Sequence, residues 1–185
     1  MPRVPQLKVE DLTERQRKLA AEIGANRGGD LATGGPWGLL LRNPELCEHA
    51  AILGTMLRDK TSVPKRLSEL AIAMVARHWT AQYEWRAHAP QGLKAGLSED
   101  VIEAIRLRRR PDFARRDEQA AYEYVSELLE QKRVSDNTYQ ALVDEIGVNA
   151  VIELTSVAGF YGLVAMLIVG LEVPLREGVA PPLPE

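Results

Sequence analysis

The sequence predicts an all-α protein with a single domain. Three observations lead to this prediction: signals for helix starts and stops recur along the chain, the alternating patterns typical of strands are nearly absent, and no repeat or linker divides the 185 residues. The composition, with 45% hydrophobic and 26% charged residues, provides enough apolar surface for a core and excludes disordered and fibrous chains. We therefore expect residues 1–185 to fold as one unit.

The first half of the chain carries signals for three helices and one long loop. Thr13, ahead of an amphipathic run, and Asn43, ahead of Pro44, are typical N-cap residues. The segment 25–37 is rich in glycine and is predicted to be a surface loop. Pro64 is predicted to open the third helix. The three predicted helices cover residues 14–24, 44–59 and 64–78.

The second half carries signals for five more helices. Thr80, Ser98, Asp117 and Ser135 are predicted to stand at the starts of four of them. Pro90 is expected to kink the first of these helices or to relax its last turn. These four helices are predicted to begin at 80, 98, 117 and 135. The fifth helix is predicted to begin at 149 and to end before the proline at 174. Residues 175–185 are predicted to be a loosely held tail.

The most apolar part of the chain is a run of 18 uncharged residues between Glu153 and Glu172. This length is the lower limit for crossing a bilayer, but the run contains Thr155, Ser156, Tyr161 and three glycines, and acidic residues border it. No secretory signal is recognisable near the N-terminus. We therefore predict a helix that is buried on all sides, in a cytoplasmic protein without a membrane segment.

The same helix carries small residues at Ala158, Gly159, Gly162 and Gly170. Small side chains at this spacing allow a second helix to approach closely. A chain of this size has little core with which to surround a uniformly apolar helix. A central core helix and a helix shared between subunits are both open interpretations, and we favour the shared helix and hence a homo-oligomer.

Charge and cysteine content exclude several classes of function. A net charge of −3 is untypical of proteins that bind nucleic acid or acidic lipid. The run from Arg106 to Arg116 holds six arginines, but acidic residues interrupt and follow it. We interpret this run as a solvated, salt-bridged or subunit-contact segment. The single cysteine, Cys47, excludes an intramolecular disulfide, a CxxC redox pair and a cysteine-rich zinc site.

Two neighbouring predicted helices carry ionisable residues suited to proton transfer. Glu69 lies in a helix that is apolar almost throughout, where an unpaired carboxylate is unfavourable; an ion pair with Arg66 on a partly wet face is the simpler alternative. Glu84 and His88 are four residues apart and therefore share one helix face. Because Glu84 falls in the first helical turn, we expect an anionic carboxylate that orients and charges His88.

Three segments of the sequence carry a family resemblance. They read PKRLSELAI at 64–72, QYEWRAHA at 82–89 and KAGLSEDVIEAI at 94–105. With these motifs, the sequence from about 37 to 124 resembles the carboxymuconolactone decarboxylase family, which also contains the AhpD-type alkylhydroperoxidases. The segment 118–174 resembles the longer members of that family. The resemblance implies an AhpD-like helical bundle that assembles as a trimer or hexamer.

The resemblance also identifies a group of residues that this sequence lacks. The peroxidase branch of the family uses the pattern E-x11-C-x-x-C-x-x-x-H. Glu69 and His88 match its first and last members, but Ala81 and Glu84 occupy the cysteine positions. A dithiol peroxidase needs one attacking and one resolving thiol. The sequence therefore excludes thiol peroxidase activity.

The resemblance and the residues together predict a carboxymuconolactone decarboxylase-like lyase or isomerase. It would act on a small lactone or keto-acid by acid/base chemistry, without a cofactor or metal. In this hypothesis His88 moves the proton, Glu84 orients and charges the His88 imidazole, and Glu69 is the second acid or base. Two alternatives stay open: a metal-dependent enzyme that uses the same three residues, and a non-catalytic oligomeric ligand-binding protein. The candidate substrate-binding residues are Arg66, Tyr83, Trp85 and Trp37.

Overall fold

The computed structural model describes residues 2–26 and 32–185, and within these ranges all regular secondary structure is helical. The prediction of an all-α fold is thus confirmed. A short 3-10 helix at Val9–Asp11 precedes eight α-helices: α1 (Glu14–Ala25), α2 (Gly35–Leu40), α3 (Pro44–Asp59), α4 (Lys65–His78), α5 (Gln82–Lys94), α6 (Glu99–Arg106), α7 (Arg116–Gln131) and α8 (Asp136–Gly170).

Four helices begin at polar N-cap side chains. In each case the side-chain oxygen accepts a hydrogen bond from a backbone N–H of the first turn, which satisfies a donor that has no partner inside the helix. At α1 the cap is reciprocal, because Gln16 bonds back to the backbone of Thr13. The four caps are Thr13, Asn43, Ser98 and Ser135, all at predicted positions.

Three local predictions are wrong. The segment predicted as a long loop ends inside α2, whose first three residues it includes, while residues 27–31 of that segment lie outside the described chain. Thr80 does not cap α5, because it adopts a left-handed backbone conformation (φ 51°) and the cap position passes to Ala81. The N-cap of α7 is Arg115 rather than Asp117.

The central helix of the fold is α4. Every residue from Leu67 to Arg77 is buried, and the helix packs against α5, α6, α7 and α8. Two hydrophobic clusters meet on it: Leu70 belongs to one with α5 to α8, and Ile72 belongs to another with α1, α2, α3 and α8. Any ionisable side chain on this helix must therefore find a partner or stay neutral.

Two predicted helices are joined in α8, across a break at Gly147. There the backbone has φ 78° and ψ 159°, a conformation open to glycine and strained for other residues. The prediction that the apolar helix is buried on all sides is wrong, because Ile152, Leu163 and Met166 on one face are exposed. The other helices of this small fold cover only the opposite face.

By length and composition α8 is the one described helix able to cross a membrane, with half of its most apolar window buried inside the fold. Core helices of soluble proteins pass the same test. The cytoplasmic location and the absence of a membrane segment stay predictions.

The segment after α8 is held more firmly than predicted. The Gln82 side-chain amide donates to the Leu183 carbonyl at 2.9 Å and accepts from the Leu183 backbone N–H at 2.8 Å. The Leu183 side chain is buried in the core. Gln82 is the first residue of α5, so the tail is fastened to the start of the helix that carries Glu84 and His88.

Candidate active site

A cavity of about 540 Å³ lies between α2, α4, α5 and α8 and the end of α3. Its volume is typical of sites for small organic molecules. Four aromatic side chains form much of its wall: Trp37, Tyr83, Phe160 and Tyr161. Glu69, Glu84 and His88 all line it as well, so the three predicted catalytic residues lie around one space.

Glu69 and His88 are paired across α4 and α5. The Nδ1 atom of His88 lies 2.9 Å from Oε2 of Glu69, and Nζ of Lys65 lies 3.0 Å from Oε1. Burial raises the pKa of the Glu69 carboxyl, but the hydrogen bonds and charges of His88 and Lys65 outweigh burial and hold this pKa below its ordinary value. Glu69 is therefore ionised at neutral pH.

The Glu69 carboxylate fixes the tautomer of His88. An ionised carboxylate can only accept a hydrogen bond, so the proton of a neutral imidazole resides on Nδ1. The unprotonated nitrogen is then Nε2, which can act as a base. The Tyr161 ring packs edge-on against the imidazole, with 4.8 Å between ring centroids, and limits its rotation.

Glu84 has no such partner. Its side chain is buried, and neither carboxyl oxygen has a hydrogen-bond partner among the described residues. Burial raises the pKa of Glu84 to about 9. At neutral pH this residue is a carboxylic acid, which can donate a hydrogen bond or a proton into the cavity.

The two glutamates have exchanged their predicted roles. Glu69 orients His88, whereas Glu84 was expected to do so as an anion. The helix dipole near α5's start favours an anion by only about 0.3–1 kcal/mol, which is less than the effect of complete burial without a partner. The four-residue spacing places Glu84 and His88 on one face, but the imidazole bonds across to α4 instead.

The four predicted substrate-binding residues separate into two pairs. Trp37 and Tyr83 line the cavity. Arg66 instead points to the start of α7, where it forms ion pairs with Asp117 and Glu118, and the alternative ion pair with Glu69 is made by Lys65. Trp85 is buried in the core cluster of α4 to α8 and is not part of the cavity wall.

Sequence reasoning missed the basic residues at this site. Lys65 and Arg58 both line the cavity, and Arg58 forms an ion pair with Asp59 at 2.8 Å. The i to i+4 spacing of Lys65 and Glu69 is a standard helical ion-pair signal and could have identified the first of them. The position of Arg58 at the cavity depends on how α3 packs against the rest of the fold, so no sequence signal could have predicted it.

A second cavity of about 450 Å³ adjoins the first. It lies between the N-terminal segment, the start of α2 and the segment after α8. Tyr83 lines both cavities and so forms the partition between them. A Cβ atom at Gly35 would collide with the Tyr83 hydroxyl, so the start of α2 fits closely against this ring.

The described residues at the site include neither a set of metal ligands nor a cysteine. Across 2–26 and 32–185, no group of three or more His, Cys, Asp and Glu side chains is placed to hold a metal ion. The metal-dependent alternative therefore has no ligand set in that part of the chain. Cys47 is buried in the cluster of α1, α2, α3 and α8 and is not part of the cavity wall.

Comparison with known proteins identifies the fold. No protein-family model and no curated protein sequence matches the chain significantly. The structure is similar to that of the debrominase Bmp8: a cysteine-to-alanine variant in complex with 2,3,4-tribromopyrrole superposes with a TM-score of 0.74 at 14% identity, covering 94% of this chain and 91% of that one. The two proteins share a fold. The apo form of Bmp8 gives a TM-score of 0.73 at 13% identity, with 93% and 91% of the two chains covered.

Proposed function

We propose that this protein is a cofactor-independent enzyme that moves a proton on a small carbonyl compound, as a carboxymuconolactone decarboxylase-like isomerase or lyase. The observation that carries the proposal is the neutral, unpartnered Glu84 carboxyl on the same cavity as the Glu69–His88 pair. Glu84 provides an acid, and the Glu69–His88 pair provides an oriented base. Such a division between two ionisable groups is typical of acid/base enzymes.

His88 is the base in this proposal. Its Nε2 atom accepts a proton from the carbon next to the substrate carbonyl, and the electron pair of that C–H bond moves onto the carbonyl oxygen. Ionised Glu69 stabilises the imidazolium that forms, because its carboxylate is already hydrogen-bonded to Nδ1. A correctly placed base of this kind contributes about 10² to 10⁴ in rate.

Glu84 stabilises the oxygen on which negative charge develops. Its protonated carboxyl donates a hydrogen bond to the enolate oxygen in a buried environment, where such bonds are strong. For an isomerase, the imidazolium then returns the proton to a different carbon. For a lyase no C–H bond breaks. The bond between the carbon next to the carbonyl and a substrate carboxylate breaks instead, CO₂ leaves, the electron pair of that bond forms the enolate, and protonated His88 donates a proton to the same carbon.

The charges around the cavity favour a lactone over a keto-acid, and they favour isomerisation over loss of CO₂, because decarboxylation requires a substrate carboxylate. Lys65 is paired with Glu69, and Arg58 is paired with Asp59, so both cations already have a carboxylate partner. Glu84 is neutral. A free substrate carboxylate would have to compete for one of these cations, whereas an uncharged ring of a lactone fits the aromatic wall without such competition.

Thiol-dependent dehalogenation is not proposed, although Bmp8 is a debrominase. At 14% identity the comparison concerns the fold. The only thiol in the sequence belongs to Cys47, which is fully buried outside the cavity.

The decisive experiment is proton exchange on a panel of lactones and keto-acids in D₂O, followed by NMR. The wild-type protein should exchange the proton next to the carbonyl of at least one substrate. His88→Asn, which removes the base, and Glu84→Leu, which removes the hydrogen-bond donor, should each lower the rate by about 100-fold or more. The exposed Glu145 provides the matched control, Glu145→Leu, which should retain the wild-type rate.

Two outcomes would contradict the proposal. Equal exchange rates in the wild type and in both site variants would remove His88 and Glu84 from the chemistry. Saturable lactone binding without exchange would instead support the non-catalytic ligand-binding alternative.

A further inference from the structure

Five of the six arginines between Arg106 and Arg116 fall into two groups in the structure. Arg106, Arg110 and Arg115 are paired with acidic side chains: Glu103, Glu123 and Asp117 respectively. Arg108 and Arg109 form no ion pair with any residue of the described chain. Both line a small cavity between α4, α6 and α7 that also contains Arg77.

Arg77 is an unusual residue because it is buried without a carboxylate. Only 4% of its surface is exposed. Its Nε donates to the Arg106 carbonyl and its Nη1 to the Thr80 hydroxyl, both at 2.9 Å, and no ion pair to Arg77 forms within 2–26 and 32–185. A buried guanidinium normally has a counter-ion, since burial of an uncompensated charge is costly. Burial and the neighbouring Arg108 and Arg106 all lower its pKa.

We propose that Arg77, Arg108 and Arg109 form a binding site for a phosphate group, separate from the acid/base cavity. Their cavity has a volume of about 100 Å³. A space of this size accommodates a tetrahedral oxyanion. Arginine is the residue best suited to such an anion, because its planar guanidinium donates two parallel hydrogen bonds to oxygen atoms.

The remaining lining residues are compatible with an anion. Glu130 is the only acidic one, so three arginines against one glutamate leave two positive charges. Ser126 and Tyr122 contribute hydroxyl-bearing side chains to the wall. Thr80 links two of the three arginines, because its hydroxyl accepts hydrogen bonds from both Arg77 and Arg108.

His78 is a natural reporter for this site. It lines the same cavity, and its pKa is lowered by burial and by the charges of Lys132 and Arg108, against a smaller opposite effect of Glu130. A bound phosphate would offset the basic charges and raise the pKa of His78. The sequence has only three histidines, and of the other two His88 lines the acid/base cavity, so their NMR signals distinguish the two sites.

The test is a titration with inorganic phosphate at constant ionic strength, followed by the histidine ring signals and by calorimetry. Phosphate should shift the His78 signal and leave the His88 signal in place. Arg108→Gln and Arg109→Gln should each weaken binding by about tenfold or more, because each removes a charge-assisted hydrogen bond. Arg110→Gln is the matched control from the same arginine run and should bind within about twofold of the wild type.

A second arm of the experiment uses glycerol phosphate in place of inorganic phosphate. Tighter binding of the ester, with the same loss in Arg109→Gln, supports the site and identifies the ligand as a phosphorylated metabolite. Tighter binding of inorganic phosphate supports the site with the free ion as ligand. The proposal is overturned if neither compound shifts the His78 signal at up to about 50 mM, or if Arg110→Gln loses as much affinity as the other two variants.

Discussion

Glu69 and Glu84 line the same cavity, and their pKa values are displaced in opposite directions. The difference arises from their partners rather than from their burial, because both side chains are almost completely buried. Glu69 has an imidazole and an ammonium group within 3.0 Å, whereas Glu84 has no hydrogen-bond partner in the described chain. One cavity therefore holds a permanent carboxylate and a carboxylic acid at the same pH.

The first prediction concerns the pH dependence of stability at Glu84. The folded protein keeps this proton up to about pH 9, whereas the unfolded chain loses it near the ordinary value of 4.5. Below the lower value both states are protonated and stability is unaffected. Between the two values the unfolded state binds fewer protons, so wild-type stability falls as pH rises, by roughly 1 kcal/mol for each pH unit.

Glu84→Gln removes this titration, because glutamine resembles the neutral carboxyl in shape and polarity. Relative to the wild type, the variant should gain free energy of unfolding as pH rises from about 5 to about 9. Urea unfolding at several pH values measures the difference. For the control Glu145→Gln, the free energy of unfolding should change with pH as it does in the wild type. The same pH dependence in Glu84→Gln would contradict the prediction, because it would show that Glu84 is ionised in the folded protein.

The second prediction concerns the tautomer of His88. In Glu69→Gln the side-chain amide can donate to Nδ1, which transfers the imidazole proton to Nε2 and removes the base from the cavity. The turnover number should fall by about 100-fold or more while substrate affinity changes little. Nitrogen-15 NMR of the ring measures the tautomer directly. An Nδ1-protonated ring in the variant, with unchanged turnover, would show that Glu69 only supports the fold.

The third prediction concerns the size of substrate. Tyr83→Ala should join the two cavities that the ring separates, so that lactones with a bulky substituent become substrates. The ratio of kcat/KM for a large over a small lactone should rise by about tenfold or more. Tyr83→Phe keeps the partition and should retain the wild-type ratio. The prediction is wrong if the alanine and phenylalanine variants show equal ratios.

The fourth prediction concerns the exposed apolar face of α8, which includes Ile152, Leu163 and Met166. A homo-oligomer would cover this face, and the family resemblance predicts a trimer or hexamer. Leu163→Lys should then reduce the assembly to smaller species, while Glu145→Lys, at an exposed polar position of the same helix, should not. Light scattering coupled to gel filtration measures the mass. A monomeric wild-type protein would contradict this prediction.

The fold could be predicted largely from the sequence, because its signals are local. Thr13, Asn43 and Ser98 each satisfy backbone donors within three residues of themselves, so their roles depend on few other parts of the chain. Thr80 shows where prediction of helix caps from local sequence fails. Its hydroxyl accepts hydrogen bonds from the guanidinium groups of Arg77 and Arg108, and the bond from Arg108 is a tertiary contact that competes with the tendency of Thr80 to cap a helix.

The site could be predicted only as a set of residues. Sequence spacing placed Glu69, Glu84 and His88 together, and all three line one cavity. It could not assign their pairing, because the bond between Glu69 and His88 depends on how α4 and α5 pack. Nor could it identify the protonation state of Glu84, which follows from burial on all sides and not from its place in the first turn of α5.

The hydrogen bonds between Gln82 and Leu183 have a consequence for how the protein folds during its synthesis. The two residues are 101 positions apart, so the start of α5 leaves the ribosome long before its partner segment exists. A helix can form early from local interactions, but a contact of this separation has to wait for the later residue. The start of α5, the helix that carries Glu84 and His88, is therefore fastened only after almost the whole of this sequence has been translated, and a nascent chain that stops short of Leu183 would carry both residues on a helix whose start is not yet held.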